Sequence, residues 1–489
     1  MTLAEERLRQ LDNPLLNEDE RAMLRCRLAA EFMHAGQYES AREALGEHWR
    51  GVGERPNVEG LAEATAAEVL LQAGALSGWL GVGGQAAAKD LISESAGLFE
   101  RIGESNRASA ARGELAVCYW REGAYSEARL LLEEAATRIS GDAELRGKTV
   151  LRLVIVETSA GRYSDALRLL TDSARLFEES TNHALKGSFH NELALVLRRL
   201  GTAEQRQDYF DRAILEYTAA AYHFGEARHS RYVARIENNL AFLLYKLGRH
   251  ADAHEHLDRA QLIFTSLRDA GSLAQTDETR ARILIAEQKY REASRILSGA
   301  ILTFEKDGDS ALLADALTVR GVMLARLGDY ESSAATLRRA ADMAESLGAL
   351  KNAGLAVLAL IEEHGTRRAM HSDEVYDAYL RADRLLKDTQ DVEDTARLRA
   401  CARIVMRRLA GSRLYDKDFH FYGAVHELEA KLIEQALEES GGSIVKAARL
   451  LGITHQTLDS MLNQRHKNLA GKRTPREKRL RSIIKEPKE

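Results

Sequence analysis

A six-residue pattern, Gly-x-Tyr-x-x-Ala, recurs along the chain at nearly constant spacing, and no other feature restricts the possible folds as much. It is complete at Gly36/Tyr38/Ala41, Gly123/Tyr125/Ala128 and Gly161/Tyr163/Ala166. Degenerate copies stand at Gly248/His250/Ala253, Gln288/Tyr290/Ala293 and Gly328/Tyr330/Ser333. Gly201 joins the series if seven residues are inserted before Phe210/Ala213, and the intervals from Gly123 onward are then 38, 40, 47, 40 and 40 residues. Phe177, Phe264 and Phe304 each follow their turn position by sixteen residues, and Phe224 does so once the insertion is subtracted. Two landmarks in one register describe a single repeated unit, a helical hairpin. Gly makes the turn, the aromatic fills the seam between helices, Ala lets the second helix approach the first, and the late Phe plugs the next hairpin.

Composition points the same way. No proline lies between Pro56 and Pro475, and Ala, Leu, Glu and Arg dominate. Proline breaks helix interiors and these four residues favour them, so the fold class is all-α. The repeat resembles the tetratricopeptide repeat in a variant of about 40 residues rather than the usual ~34. The longer helices resemble those of MalT-like sensor arrays. The resemblance covers 21–409 and implies a tetratricopeptide-like helical-hairpin solenoid with a concave groove for an unknown protein, peptide or small-molecule partner.

Cys26, Cys118 and Cys401 are scattered, without CxxC or Cys/His spacing, which reads as reduced thiols in a reducing compartment. The charged start, Met1–Gln10, is no signal peptide, and no run of eighteen apolar residues exists. A cytoplasmic, nucleoid-associated location is expected. The overall charge of −5 is unevenly spread: Gly442–Glu489 holds twelve lysines and arginines against four acids, a net of +8, which leaves about −13 for the rest. One end is built to meet a polyanion.

Ala424–Ser440 carries Val425, Leu428, Leu432, Ile433, Ala436 and Leu437 at helical spacing. Gly441 and Gly442 stop that helix, and Ser443 is placed to cap the next, Ile444–Leu451. After Gly452, Thr454 is placed to cap a helix from His455 to about Arg465. A short helix, a Gly turn and a second helix make helix-turn-helix spacing. The run Lys446-Ala-Ala-Arg-Leu-Leu-Gly-Ile-Thr-His-Gln-Thr-Leu458 resembles the Fis-type helix-turn-helix, as in the C-terminal domain of NtrC-type activators. The resemblance implies a homodimer through Ala424–Ser440 and a last helix that enters the major groove of double-stranded DNA. Those activators carry an ATPase domain, and no GxxxxGK[ST] occurs here.

On the exposed side of the second helix, His455, Gln456, Ser460 and Asn463 are the candidate readers, with Gln456 leading because Gln pairs bidentately with adenine. Thr454 and Thr457 are candidate phosphate contacts, and Lys446 stands on the preceding helix. Asp459 repels phosphate, so it either faces a cytosine edge or sits off the interface. Arg465, Lys467, Lys472, Arg473, Arg476, Lys478, Arg479 and Arg481 read as a flexible arm along the DNA backbone.

Two other signals carry less. His250-x-x-x-His254-x-His256 has metal half-site spacing, but His250 fills the seam position of the repeat. Gly78, Gly81, Gly83 and Gly84 read as a loose turn between hairpin helices rather than a phosphate loop. No catalytic residue, metal or cofactor is expected. The domains expected are a segment 1–20, the array 21–409, a linker 410–420, the helix-turn-helix 421–468 and a basic tail 469–489. The expected function is sequence-specific DNA-binding regulation with the array as sensor; the alternative is a dimeric tetratricopeptide-repeat scaffold.

Overall fold

The computed structural model describes residues 11, 13, 15–34, 37–80, 85–307, 310–367, 370–389, 391–409 and 420–473. Among the described residues there is no strand, and no helix is long and apolar enough to cross a membrane. The chain divides into two compact units, Met1–Cys401 and Ala402–Glu489.

The first unit is a solenoid of antiparallel hairpins. They run α1 (Glu18–His34) with α2 (Tyr38–Leu45), α3 (Glu63–Leu80) with α4 (Gln85–Arg101), α5 (Ser105–Arg121) with α6 (Tyr125–Arg138), and α7 (Ala143–Ser159) with α8 (Tyr163–Glu178). Next come α9 (His183–Glu204) with α10 (Gln207–Glu226), α11 (Ser230–Lys246) with α12 (His250–Ser266), and α13 (Ala270–Ala286) with α14 (Tyr290–Asp307). Then follow α15 (Ser310–Leu327) with α16 (Tyr330–Ser346), α17 (Leu350–His364) with α18 (Ser372–Leu385), and the first part of α19 (Val392–Leu409), whose residues after Cys401 fall in the second unit. First helices of successive hairpins pack on one another as well as on their own partners, so they form the inner wall.

The sequence landmarks fall on the joints. The aromatic of the pattern opens six of the second helices: Tyr38, Tyr125, Tyr163, His250, Tyr290 and Tyr330 are all first residues. At Gly248, φ is +75°, and the next amide donates from Arg249 N to the Leu244 carbonyl at 2.9 Å, closing the helix end. The same bond runs from Lys289 N to the Leu284 carbonyl at 2.8 Å, although the left-handed position there is Gln288, at φ +62°. The Phe residues are plugs as expected: Phe177 stacks on Phe189 of the next hairpin at 4.5 Å, and Phe224 on Tyr232 at 4.9 Å.

Two local readings need correction. Gly201 is not a turn; α9 runs through it to Glu204, and Gln205 takes the left-handed position at φ +53°. The insertion therefore lengthens both helices, and the Phe210 ring packs where a Cβ on Gly201 would be, 2.9 Å away. Gly78 lies inside α3, buried against Cys118, while Gly81, Gly83 and Gly84 lie outside the described residues. His254 and His256 face different carboxylates, Glu287 at 3.3 Å and Glu237 at 2.6 Å.

Candidate nucleic-acid interface

The second unit is built on α20 (Phe421–Glu439), α21 (Ile444–Leu450), α22 (His455–Gln464) and a 3-10 turn, Lys467–Lys472. Gly442, at φ +81°, donates to the Leu437 carbonyl at 2.7 Å and ends α20. Ser443 occupies the N-cap position of α21, but its side chain makes no capping bond, contrary to expectation. Ala447 and Ala448 are buried against Ile433, Ala436, Leu437, Leu458 and Leu462. Two small residues at the crossing let α21 and α22 pack closely on each other.

The broad apolar stripe foreseen on Ala424–Ser440 is two faces. Ile433, Ala436 and Leu437 are buried in the domain core, whereas Leu428 and Leu432 stay 50% and 48% exposed.

On α22, Leu458 and Leu462 are buried while His455, Gln456, Ser460 and Asn463 are exposed. Gln456, Ser460 and Asn463 follow one another at three- and four-residue steps, so they share a face. Thr454 caps the helix: its hydroxyl accepts from Thr457 N at 3.1 Å, and the two Thr hydroxyls lie 2.8 Å apart. Their oxygens thus already serve the helix start. Lys446 is exposed on the first turn of α21.

The segment expected to open a flexible arm is instead fastened down as far as 473. Leu469 is buried in the core, so the domain extends beyond residue 468. His466 is wholly buried; its Nε2 meets Glu429 Oε2 at 3.0 Å, and its ring lies 4.2 Å from that of His426. His426 Nε2 donates to the Arg465 carbonyl at 2.7 Å, and the Arg465 guanidinium lies 3.5 Å from Glu429. Lys472 Nζ reaches Glu434 at 2.5 Å and Glu438 at 2.7 Å, and those carboxylates hold its ammonium above the usual lysine range. Arg473 Nη1 reaches Asp459 Oδ1 at 3.3 Å and Asn463 Oδ1 at 3.2 Å. Lys467 is exposed, and Arg476, Lys478, Arg479 and Arg481 lie outside the described residues. Sequence reasoning missed His426, Glu429 and His466, because the i+4 step from Leu462 reads as an ordinary core position and nothing local names its partner.

Two of the clefts among the described residues of the solenoid bear on binding. One, of ≈180 Å³, lies on the inner wall and draws Tyr245, Arg282, Asp315, Asn352 and Arg397 from five successive first helices. The charges there are met within the protein: Arg282 bonds Glu278 at 2.6 Å, Asn352 bonds Asp315 at 2.9 Å, and Arg397 takes Glu362 through two bonds of 2.9 and 2.7 Å. The other, of ≈400 Å³, has an apolar floor of Leu337, Val357, Leu360 and Met370 with Arg381 at its edge. On α9, burial pushes the Glu192 carboxyl up to about 7, partly countered by Asn191 and Arg235.

No curated protein matches the chain. Among solved structures it is similar to a Rap protein complexed with Competence and Sporulation Factor, at 17% identity, over 75% of this chain and 100% of that one, TM-score 0.46. It is similar to the apo quorum sensor NprR of B. thuringiensis, at 14% identity over 69% and 92% of the two chains, TM-score 0.46. It is also similar to a signal transduction ATPase with a tetratricopeptide repeat sensor from Pyrococcus horikoshii, at 13% identity over 78% and 55%, TM-score 0.47. Residues 424–462 match the model described as bacterial regulatory protein, Fis family, so this helical-repeat chain carries a Fis-family helix-turn-helix at its C-terminal end.

Proposed function

We propose that the chain is a cytoplasmic, non-enzymatic transcription regulator that binds double-stranded DNA sequence-specifically through α22. The observation that carries this reading is the division of α22 between two anchoring leucines, Leu458 and Leu462, and an exposed row of Gln456, Ser460 and Asn463, in a segment of Fis type. Hydrogen-bonding side chains on a helix held from behind suit base edges in a major groove. Lys446, Thr454, Thr457, Arg465 and Lys467, with the basic residues beyond 473, supply contacts to the backbone, and His455 stands with the readers. The exposed pair Leu428/Leu432 joins two copies, and the inner wall of the solenoid receives a protein, peptide or small ligand.

Selection of bound duplexes from a random pool by the full chain tests this reading. Enrichment of one motif with two-fold symmetry is expected. Retention of DNA without any motif, or of none, leaves the scaffold reading in its place.

A further inference from the structure

We propose that Asp459 is a positioning residue: it holds the Arg473 guanidinium on the outer face of α22, where Arg473 contacts DNA. This rests on the DNA-binding reading above.

A carboxylate three residues from Gln456 and four from Asn463 stands beside the row of candidate readers, where it would face phosphates of one sign. The chain returns a cation to it from fourteen residues further on, and Arg473 Nη1 bridges Asp459 Oδ1 at 3.3 Å and Asn463 Oδ1 at 3.2 Å. The local charge is thereby cancelled.

Three features make this a placement rather than a chance surface pair. Leu469 is buried in the domain core, and Lys472, next to Arg473, is tied to both Glu434 and Glu438. The backbone that carries Arg473 is therefore fixed, and little further order is lost in forming the pair. The two side chains are 36% and 30% exposed, held yet open to a ligand. Among the described residues both contacts use Nη1, which leaves the Nε–Nη2 edge for the bidentate pairing that arginine makes with guanine or with a phosphate. Asp459 therefore reads no cytosine; it sets the direction of an arginine that belongs to the reader and not to the tail.

The test is a double-substitution cycle in the full chain, Asp459→Ala with Arg473→Ala, read as affinity for the selected duplex and for a scrambled one across a salt series. Arg473→Ala is expected to weaken binding about 10-fold, the size of a charge-assisted hydrogen bond. Asp459→Ala alone is expected to weaken binding in the same direction, because Arg473 is released. In the Arg473→Ala background the same change is expected to strengthen binding, because the carboxylate then has no Arg473 to position and still repels phosphate. That reversal of sign is the signature, and thermal unfolding of each variant shows whether the domain stays folded. A loss confined to the selected duplex assigns Arg473 to a base, and an equal loss on both duplexes with a smaller salt slope assigns it to a phosphate. Tighter binding by Asp459→Ala alone, additive losses, or no effect of Arg473→Ala overturns the proposal. If the unsubstituted chain binds no duplex, the DNA-binding reading itself fails.

Discussion

Arg199 Nη1 stands 2.5 Å from Asp391 Oδ2, although 192 residues separate them. Asp391 also receives Lys351 Nζ at 3.1 Å, and its neighbours continue the bridge: Asp394 meets Lys351 at 2.9 Å and Glu393 meets Lys246 at 2.5 Å. The start of α19 is thus held by α9, α11 and α17 through charge.

Breaking that contact has a defined cost. Burial alone would raise the Asp391 carboxyl, but Arg199 and Lys351 more than offset it and hold it below the usual carboxylate range. A depressed folded value means stability that is present above the ordinary pKa of about 3.9 and lost as pH falls through the lower folded one. Asp391→Asn is expected to destabilise the array by about 1–3 kcal/mol, discounted because both cations are partly exposed. Denaturant unfolding checks the loss, and small-angle scattering should show a larger radius. Unchanged stability would mean that the contact is ornamental.

A second, titratable contact lies at the degenerate end of the repeat. Ser333 replaces the pattern's Ala, and its buried hydroxyl lies 2.7 Å from the Gly321 carbonyl and 2.9 Å from His364 Nε2. Burial, then Arg367 and Arg338, push the His364 imidazole below its usual value. Its contribution to stability is therefore present above the ordinary histidine pKa of about 6.5 and declines as pH falls below it. Ser333→Ala is expected to cost about 1–3 kcal/mol, since His364 loses its partner. Unfolding midpoints between pH 7 and pH 5 should fall less in His364→Gln than in the natural chain. Parallel curves would exclude the mechanism.

Leu428 and Leu432 stand one turn apart on α20 with about half of each side chain in water. Such a pair costs solvation unless a second copy covers it. Leu428→Glu with Leu432→Glu is expected to convert a dimer to a monomer in sedimentation, with the melting temperature of the C-terminal domain kept. The core face of Ile433, Ala436 and Leu437 is untouched by the change. A monomer before substitution, at tens of micromolar and with DNA present, would rule out this dimer.

What the sequence could disclose was local. Tyr163 and Phe177 announce a helix start and a plug because each occupies a fixed step from its own turn. Two joints between hairpins were invisible, because Arg228 and Arg268 hold positive φ there and arginine gives no turn signal. The seven-residue insertion was legible as a length, but not as two lengthened helices around Gln205. Likewise Leu458 and Leu462 mark the buried side of α22 by periodicity, whereas the Asp459–Arg473 and His466–Glu429 pairs depend on tertiary return of the chain. Spacing does not encode that.

The reader and the tail should fail differently. Gln456 is exposed at the start of α22, beside a cap that fixes its backbone, so Gln456→Ala removes a side chain and little structure. The expected loss is roughly 1–3 kcal/mol on the selected duplex. Binding to a scrambled duplex should barely change. Replacing Arg476, Lys478, Arg479 and Arg481 with Gln removes up to four phosphate partners, and the slope of log K against log salt should fall by about 0.9 for each one engaged. Preference between the two duplexes should survive, because backbone charge is the same on both. A salt titration on the two duplexes measures both effects at once. If the tail variant loses preference while Gln456→Ala keeps it, the reading element lies beyond residue 473 and α22 is only its support.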